Sequence, residues 1–149
     1  MKNWIWIALV VGAIIGYQHW QQQTSGKTDA LNHAAAPADT DAKLQAAFDG
    51  RQSNLQIRGR GVVSKTLPDD NKGSRHQRFI LKLANGQTVV GAHKMDLAAR
   101  IRELKKGDAV AFYGEYEWSA QGGVIHWTHH DPKGRHADGW LEHRGIIYQ

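Results

Sequence analysis

The chain contains no cysteine, which excludes a disulfide framework, a thiolate nucleophile and any Cys-ligated zinc site. Proline is scarce, three residues against sixteen glycines, a balance that suits a compact, turn-rich β domain rather than a disordered chain. None of the fixed-spacing catalytic strings is present: no HExxH pair, no P-loop, no nucleophile elbow and no serine triad signature. An acidic excess is also missing. Residues 51–149 carry sixteen basic and ten acidic side chains, so the part expected to fold is basic and favours anionic partners such as phosphorylated ligands, nucleic acid or lipid head groups. At 149 residues there is room for one domain.

Long apolar runs are absent except at the start. Trp4 to Tyr17 (WIWIALVVGAIIGY) is apolar, aromatic or glycine throughout, short for a span but adequate for a signal core. No small-x-small site follows closely, and Trp4, Trp6, Tyr17 and Trp20 stand where interfacial aromatics anchor a helix. Residues 1–20 are therefore expected to be a transmembrane or signal segment, uncleaved in preference to cleaved. The protein would then sit in a bacterial inner membrane facing the periplasm, or be released there. Residues 21–50 read as a linker rich in Gln, Thr, Ala and Asp. Its end suits a short helix capped by Asp39 or Thr40, with Leu44, Ala47 and Phe48 on one face.

From Leu55 the period changes to two. LQIRGRGVV, RHQRFILKL, QTVVGAH, AVAFYGEYEW and GVIHWTH each alternate as half-buried strands do, and Asn85-Gly86 is a strong hairpin signal. MDLAARIREL has a helical stripe in Leu97, Ile101 and Leu104. Three strands, a short helix and two more strands is the chain order of a small five-stranded barrel of the OB type, with a six-stranded roll or an SH3-like barrel as alternatives. Residues 51–149 are expected to form this mainly β domain, capped by a histidine-rich C-terminal extension.

That extension, HWTHHDPKGRHADGWLEHRGIIY, holds five of the nine histidines. Imidazole and carboxylate are ligands for zinc-like ions and act as acids and bases near neutral pH. The candidate metal ligands are His76, His93, His126, His129, His130, Asp131, His136 and His143, and a divalent metal such as zinc is the one cofactor the sequence suggests. Along strand five, Ile125, Trp127 and His129 should face one way and His126, Thr128 and His130 the other. His126 and His130 then lie roughly 13 Å apart, too far to share an ion. His130, His136 and Asp131 are the catalytic candidates. Arg58, Arg60, Arg75 and Arg78, with Tyr113, form a candidate surface for an anion or a nucleic-acid strand.

LPDDNKGSRHQRFILKL, GQTVVGAHKMDLAARI, GDAVAFYGEYEW and GGVIHWTHHDPKGRHADGW resemble the small bacterial family catalogued as domain of unknown function 3465. The likeness covers about residues 53–149. It departs at Lys94-Met95, where the family pattern has Asn-Ile, and at Ala99, where it has Pro. The resemblance implies an exported or membrane-anchored protein with an OB-like core, and brings no activity with it. The expected function is ligand binding at the His/Asp cluster, the ligand being a divalent metal, an anionic group or nucleic acid. A metal-assisted phosphodiesterase or nuclease is the alternative, and a structural envelope scaffold the third reading. The membrane is the partner of residues 4–17, and no protein partner is indicated.

Overall fold

The computed structural model of the protein describes residues 37–149; the expected membrane segment and most of the linker lie outside these residues. One helix, α1 (Pro37–Asp49), precedes seven strands: β1 (Leu55–Asp70), β2 (His76–Lys82), β3 (Thr88–Lys94), β4 (Ala109–Glu117), β5 (Val124–His126), β6 (Trp140–His143) and β7 (Ile146–Tyr148). Among the described residues no helix is long and apolar enough to cross a membrane.

The chain is mainly β, and its first five strands close a ring in the order β1, β2, β3, β5, β4 and back to β1. Every contact in the ring is antiparallel except β3 with β5. β1 serves two partners because it is long and irregular. Leu55 to Val62 pair with β4, and Val62 to Asp70 pair with β2, with register shifts between Val63 and Lys65 and between Leu67 and Asp70. Such bulges bend a strand and raise its twist, which a small closed ring requires. They also carry the strand through Pro68 to Asp70.

Alternation places the core as the sequence suggested. Ile57, Val63, Phe79, Leu81, Val89, Val110, Phe112, Tyr116 and Ile125 are all buried in one cluster with Leu44 and Ala47 of α1. Neither Asp39 nor Thr40 is the helix cap, because the helix already begins at Pro37. The Thr40 hydroxyl donates to the Arg58 carbonyl at 2.9 Å, and the Asp41 carboxylate accepts the Asn85 backbone N–H at 3.1 Å. These bonds dock α1 onto the ring.

The helix expected between strands three and four is absent; residues 95–107 run through turns and irregular backbone. Side chains from the sheet hold this segment instead. The Gln77 amide donates to the Ile101 carbonyl at 3.0 Å and accepts the Ile101 N–H at 2.8 Å, and His93 Nε2 lies 3.0 Å from the Ala99 carbonyl. Buried backbone groups satisfied this way do not need the i to i−4 ladder.

Strand five also departs from expectation. β5 ends at His126 because Trp127 adopts a left-handed backbone, φ 53°. That turn breaks the alternation, so Thr128 and His129 are both buried while Trp127 is half-buried. β5 and β6 then share one edge of β4. Val124 to His126 pair opposite Glu115 to Glu117, and Trp140 to His143 pair opposite Val110 to Tyr113. Residues 127–139 form the loop that leaves this edge and returns to it.

Candidate functional site

Asp131 organises the loop. Its carboxylate accepts the backbone N–H groups of Lys133 (3.0 Å), Arg135 (2.6 Å) and His136 (2.9 Å), and its own N–H donates to Asp138 at 2.8 Å. The bonds from Lys133 and Arg135 lead in holding the Asp131 carboxyl below its usual range. An aspartate this committed to backbone is a loop organiser, so it serves poorly as a ligand or general base. His130 stands on the exposed side of the loop, its Nδ1 3.1 Å from Asp138 Oδ2.

His136 closes the loop from behind. Its Nδ1 is 2.8 Å from the Ala137 carbonyl and its Nε2 is 2.7 Å from Glu115 Oε2. Both neighbours are acceptors, so the ring is held as imidazolium. Burial works against the charge, but the bonds to Glu115 and Ala137 outweigh it and raise the His136 pKa. The ring also stacks on Trp127, with centroids 4.1 Å apart and planes 8° off parallel. This stack and ion pair press the loop onto the outer face of β4.

In front of the loop lies a cleft of about 480 Å³, lined by His76, Ala92, Lys94, His126, Trp127, His129, Asp131, Lys133 and Arg135 together with Ser74, Leu97 and Pro132. The volume falls in the range of small-ligand sites. Its floor is the outer face of β2, β3 and β5, where the small Ala92 leaves room, and its wall is the 127–139 loop. Three cations and three imidazoles face it, and the carboxylate of its one acidic residue, Asp131, is engaged by three backbone N–H groups. The side chains that line the cleft are therefore predominantly basic.

The three imidazoles share a pattern. His76 Nδ1 donates to the Ser74 carbonyl at 2.9 Å, and His129 Nδ1 donates to the His130 carbonyl at 2.7 Å. His126 Nε2 is buried and without a hydrogen bond, 3.5 Å from Glu115 and 3.4 Å from Glu117. In His76 and His129 the bond to a carbonyl fixes Nδ1 as the protonated nitrogen. The other nitrogen bonds to no group among the described residues. Burial is the largest influence on His126 and lowers its pKa against the pull of Glu115 and Glu117.

The remaining candidates lie elsewhere. His93 is wholly buried under the cleft, with Nδ1 2.9 Å from the Thr128 hydroxyl and Nε2 bonded to Ala99. The Ala99 carbonyl can only accept, so Nε2 carries the proton and Nδ1 takes the threonine hydroxyl. Desolvation lowers its pKa to about 4. His143 is buried with Nε2 2.9 Å from Asp108 Oδ2, tying β6 to the turn before β4. The eight metal candidates thus divide among separate tasks. Among the described residues no group of three or more His, Asp or Glu side chains is arranged to hold a metal ion.

The arginines do not form one surface either. Arg75 pairs with Asp96 at 2.9 Å, and Arg78 donates twice to the Pro68 carbonyl at 3.1 Å. Arg58 lies between Tyr113 and Trp140, 5.4 and 5.5 Å from the ring centroids. The face of Tyr113 expected to stack a base is thereby covered by a guanidinium. Arg60 is exposed beyond this row.

The model of the family described as Protein of unknown function (DUF3465) matches residues 28–149. The chain belongs to this family. No curated protein matches it. The family match takes in α1, the whole ring and the loop, and so includes every residue of the cleft. Lys133, Arg135, Lys94 and Glu115 were not apparent as site residues from sequence. Lys133 and Arg135 flank Gly134 directly after the Asp131-Pro132 turn, and that adjacency is the signal that could have marked them.

Proposed function

We propose that this family member is an envelope binding module in which an OB-type barrel holds a phosphate-bearing anion in the cleft over β2 and β3. The observation that carries the proposal is the lining: Lys94, Lys133, Arg135 and three imidazoles, against one carboxylate already capped by N–H groups. The ring order β1-β2-β3-β5-β4 with a parallel β3–β5 contact supports the OB reading. OB barrels bind ligands on the face of strands two and three beside the β1–β2 loop, which here contributes Ser74. The apolar run Trp4 to Tyr17 supports attachment to a membrane, with the domain outside the cytoplasm. Because no three His, Asp or Glu side chains among the described residues are arranged around one ion position, a metal-assisted hydrolase is the weaker reading.

Binding of a labelled single strand, measured by fluorescence anisotropy against salt, tests this. A strand that engages two or three phosphates should lose affinity with a log–log salt slope of about −1.5 to −2. Reversing two cleft charges, Lys133→Glu with Arg135→Glu, should weaken binding at least tenfold and flatten the slope, because both side chains project from a loop whose backbone is held by Asp131. Competition by inorganic phosphate or a nucleoside monophosphate would identify the phosphate group alone as the ligand; competition only by longer strands would identify the polymer. Unchanged affinity in the double variant would contradict the assignment.

A further inference from the structure

The cleft imidazoles suggest chemistry as well as binding. His76 and His129 are each oriented by a carbonyl on Nδ1, and His126 Nε2 faces the Glu115 and Glu117 carboxylates at 3.5 and 3.4 Å, while the other ring nitrogens have no partner among the described residues. This is how general acids and bases are positioned. Among the described residues no side-chain group is set to hold a metal, so the groups on hand for phosphoryl chemistry are imidazoles and cations. His76 and His126 stand on β2 and β5, on either side of β3. Two strand spacings and a two-residue offset put their backbones roughly 12 Å apart. Both side chains line the cleft, with Ala92 of β3 between them.

We propose, resting on the phosphate reading above, that the cleft cleaves single-stranded RNA by metal-independent transphosphorylation, with His126 as general base and His76 as general acid. His126 Nδ1 takes the proton of a ribose 2′-hydroxyl, and the 2′-oxygen attacks the adjacent phosphorus. The bond from phosphorus to the 5′-oxygen breaks, and that oxygen takes the Nε2 proton of protonated His76. The products are a 2′,3′-cyclic phosphate and a 5′-hydroxyl. The two histidines have exchanged protonation states and reset through solvent. Glu115 and Glu117, 3.5 and 3.4 Å from His126 Nε2, stabilise the imidazolium that forms there. Lys133 and Arg135 supply positive charge beside the phosphate. A base with carboxylates behind it and an acid held by a backbone carbonyl give the two roles to different rings.

The test uses the full-length protein with a chelator, a labelled single-stranded RNA and the matching 2′-deoxy strand. The expected result is RNA cleavage leaving a cyclic phosphate identified by mass, and an intact deoxy strand. His126→Ala and His76→Gln should each slow cleavage by about 10²–10⁴-fold, with deoxy-strand affinity changed by less than about tenfold. His76 is on the rim, so its variant serves even where His126→Ala disturbs packing. Intact RNA alongside a bound deoxy strand would overturn the cleavage proposal and leave the phosphate reading standing. Failure to bind either strand would overturn both. Cleavage that stops with the chelator, or that persists equally in both variants, would also overturn it.

Discussion

Gly139→Ala is expected to lower the melting temperature by some 10 °C and to abolish ligand binding in the cleft. A methyl group there would come 1.9 Å from the Trp127 carbonyl oxygen and 2.6 Å from that of Tyr113. Neither obstacle is a side chain that can swing aside. Tyr113 belongs to β4, the strand shared by β1, β5 and β6, and Trp127 is the left-handed residue that turns the chain out of β5. One of them must shift, or the loop must lift. Overpacking typically costs 1–3 kcal/mol, and a clash with two backbone oxygens belongs near about 3 kcal/mol. For a domain of this size each kcal/mol is worth roughly 4 °C. The control is Gly134→Ala. Gly134, unlike Gly139, is left-handed, φ 61°, and nothing lies within 4 Å of the added methyl. That variant should lose only about 1–2 kcal/mol of backbone preference and keep the cleft. Equal losses in the two variants, read by thermal melts, would contradict this account of how the loop is seated.

Acid should destabilise the protein well before its carboxylates titrate, and His93 is the cause. Buried between Thr128 and Ala99, its ring stays neutral in the folded protein down to about pH 4, whereas the unfolded chain binds a proton near 6.5. Below pH 6.5 the unfolded state takes up the proton and the folded state does not. Stability contributed by His93 is thus complete above about pH 6.5 and lost as the pH falls toward 4. That difference in proton affinity corresponds to an order of 3 kcal/mol. His136 acts in the opposite sense. Its raised pKa contributes stability below the unfolded value that disappears as the pH rises through the folded one. Denaturant midpoints should peak near neutrality. His93→Gln should lower the plateau yet flatten the limb between pH 6.5 and 4, because glutamine replaces the hydrogen-bonding group without a titrating proton. An unchanged acid limb in His93→Gln would show that another group carries it.

Much of the fold was legible because burial in β2, β3 and β4 follows strict alternation. Gln77, Phe79, Leu81 and Leu83 were expected on one face and are all buried. Hairpin chemistry was equally plain at Asn85-Gly86, where Gly86 is left-handed and the Asn85 side chain accepts the Gln87 N–H. The failures share one cause, tertiary bonds overriding local pattern. The stripe of Leu97, Ile101 and Leu104 reads as a helix, but Gln77 and His93 bind the backbone of that segment and leave it irregular. Residues 124–130 read as one long strand, but the left-handed Trp127 ends it and turns Thr128 inward to meet His93.

The site was legible as a place and not as a mechanism. The density of histidines drew attention to residues 126–136, several of which line the cleft. Composition alone, however, cannot separate an aspartate that gathers backbone N–H groups from one that waits for a ligand, and Asp131 is the former. Nor can it show that His136 stacks behind Trp127 while His76, fifty residues before His126, shares the cleft with it. Those relations come from the parallel β3–β5 contact, which closes the ring and brings β2 and β3 alongside β5.

The central claim is that the cleft over β2, β3 and β5 receives a phosphate-bearing anion. The most direct measurement is a titration of the ¹⁵N-labelled protein with a short single strand, followed by amide chemical shifts. Shifts that saturate and cluster on Ser74, Ala92, Lys94, Trp127 and residues 131–135 are the predicted result. Shifts centred on Arg58, Tyr113 and Trp140, or none at millimolar strand, would contradict it.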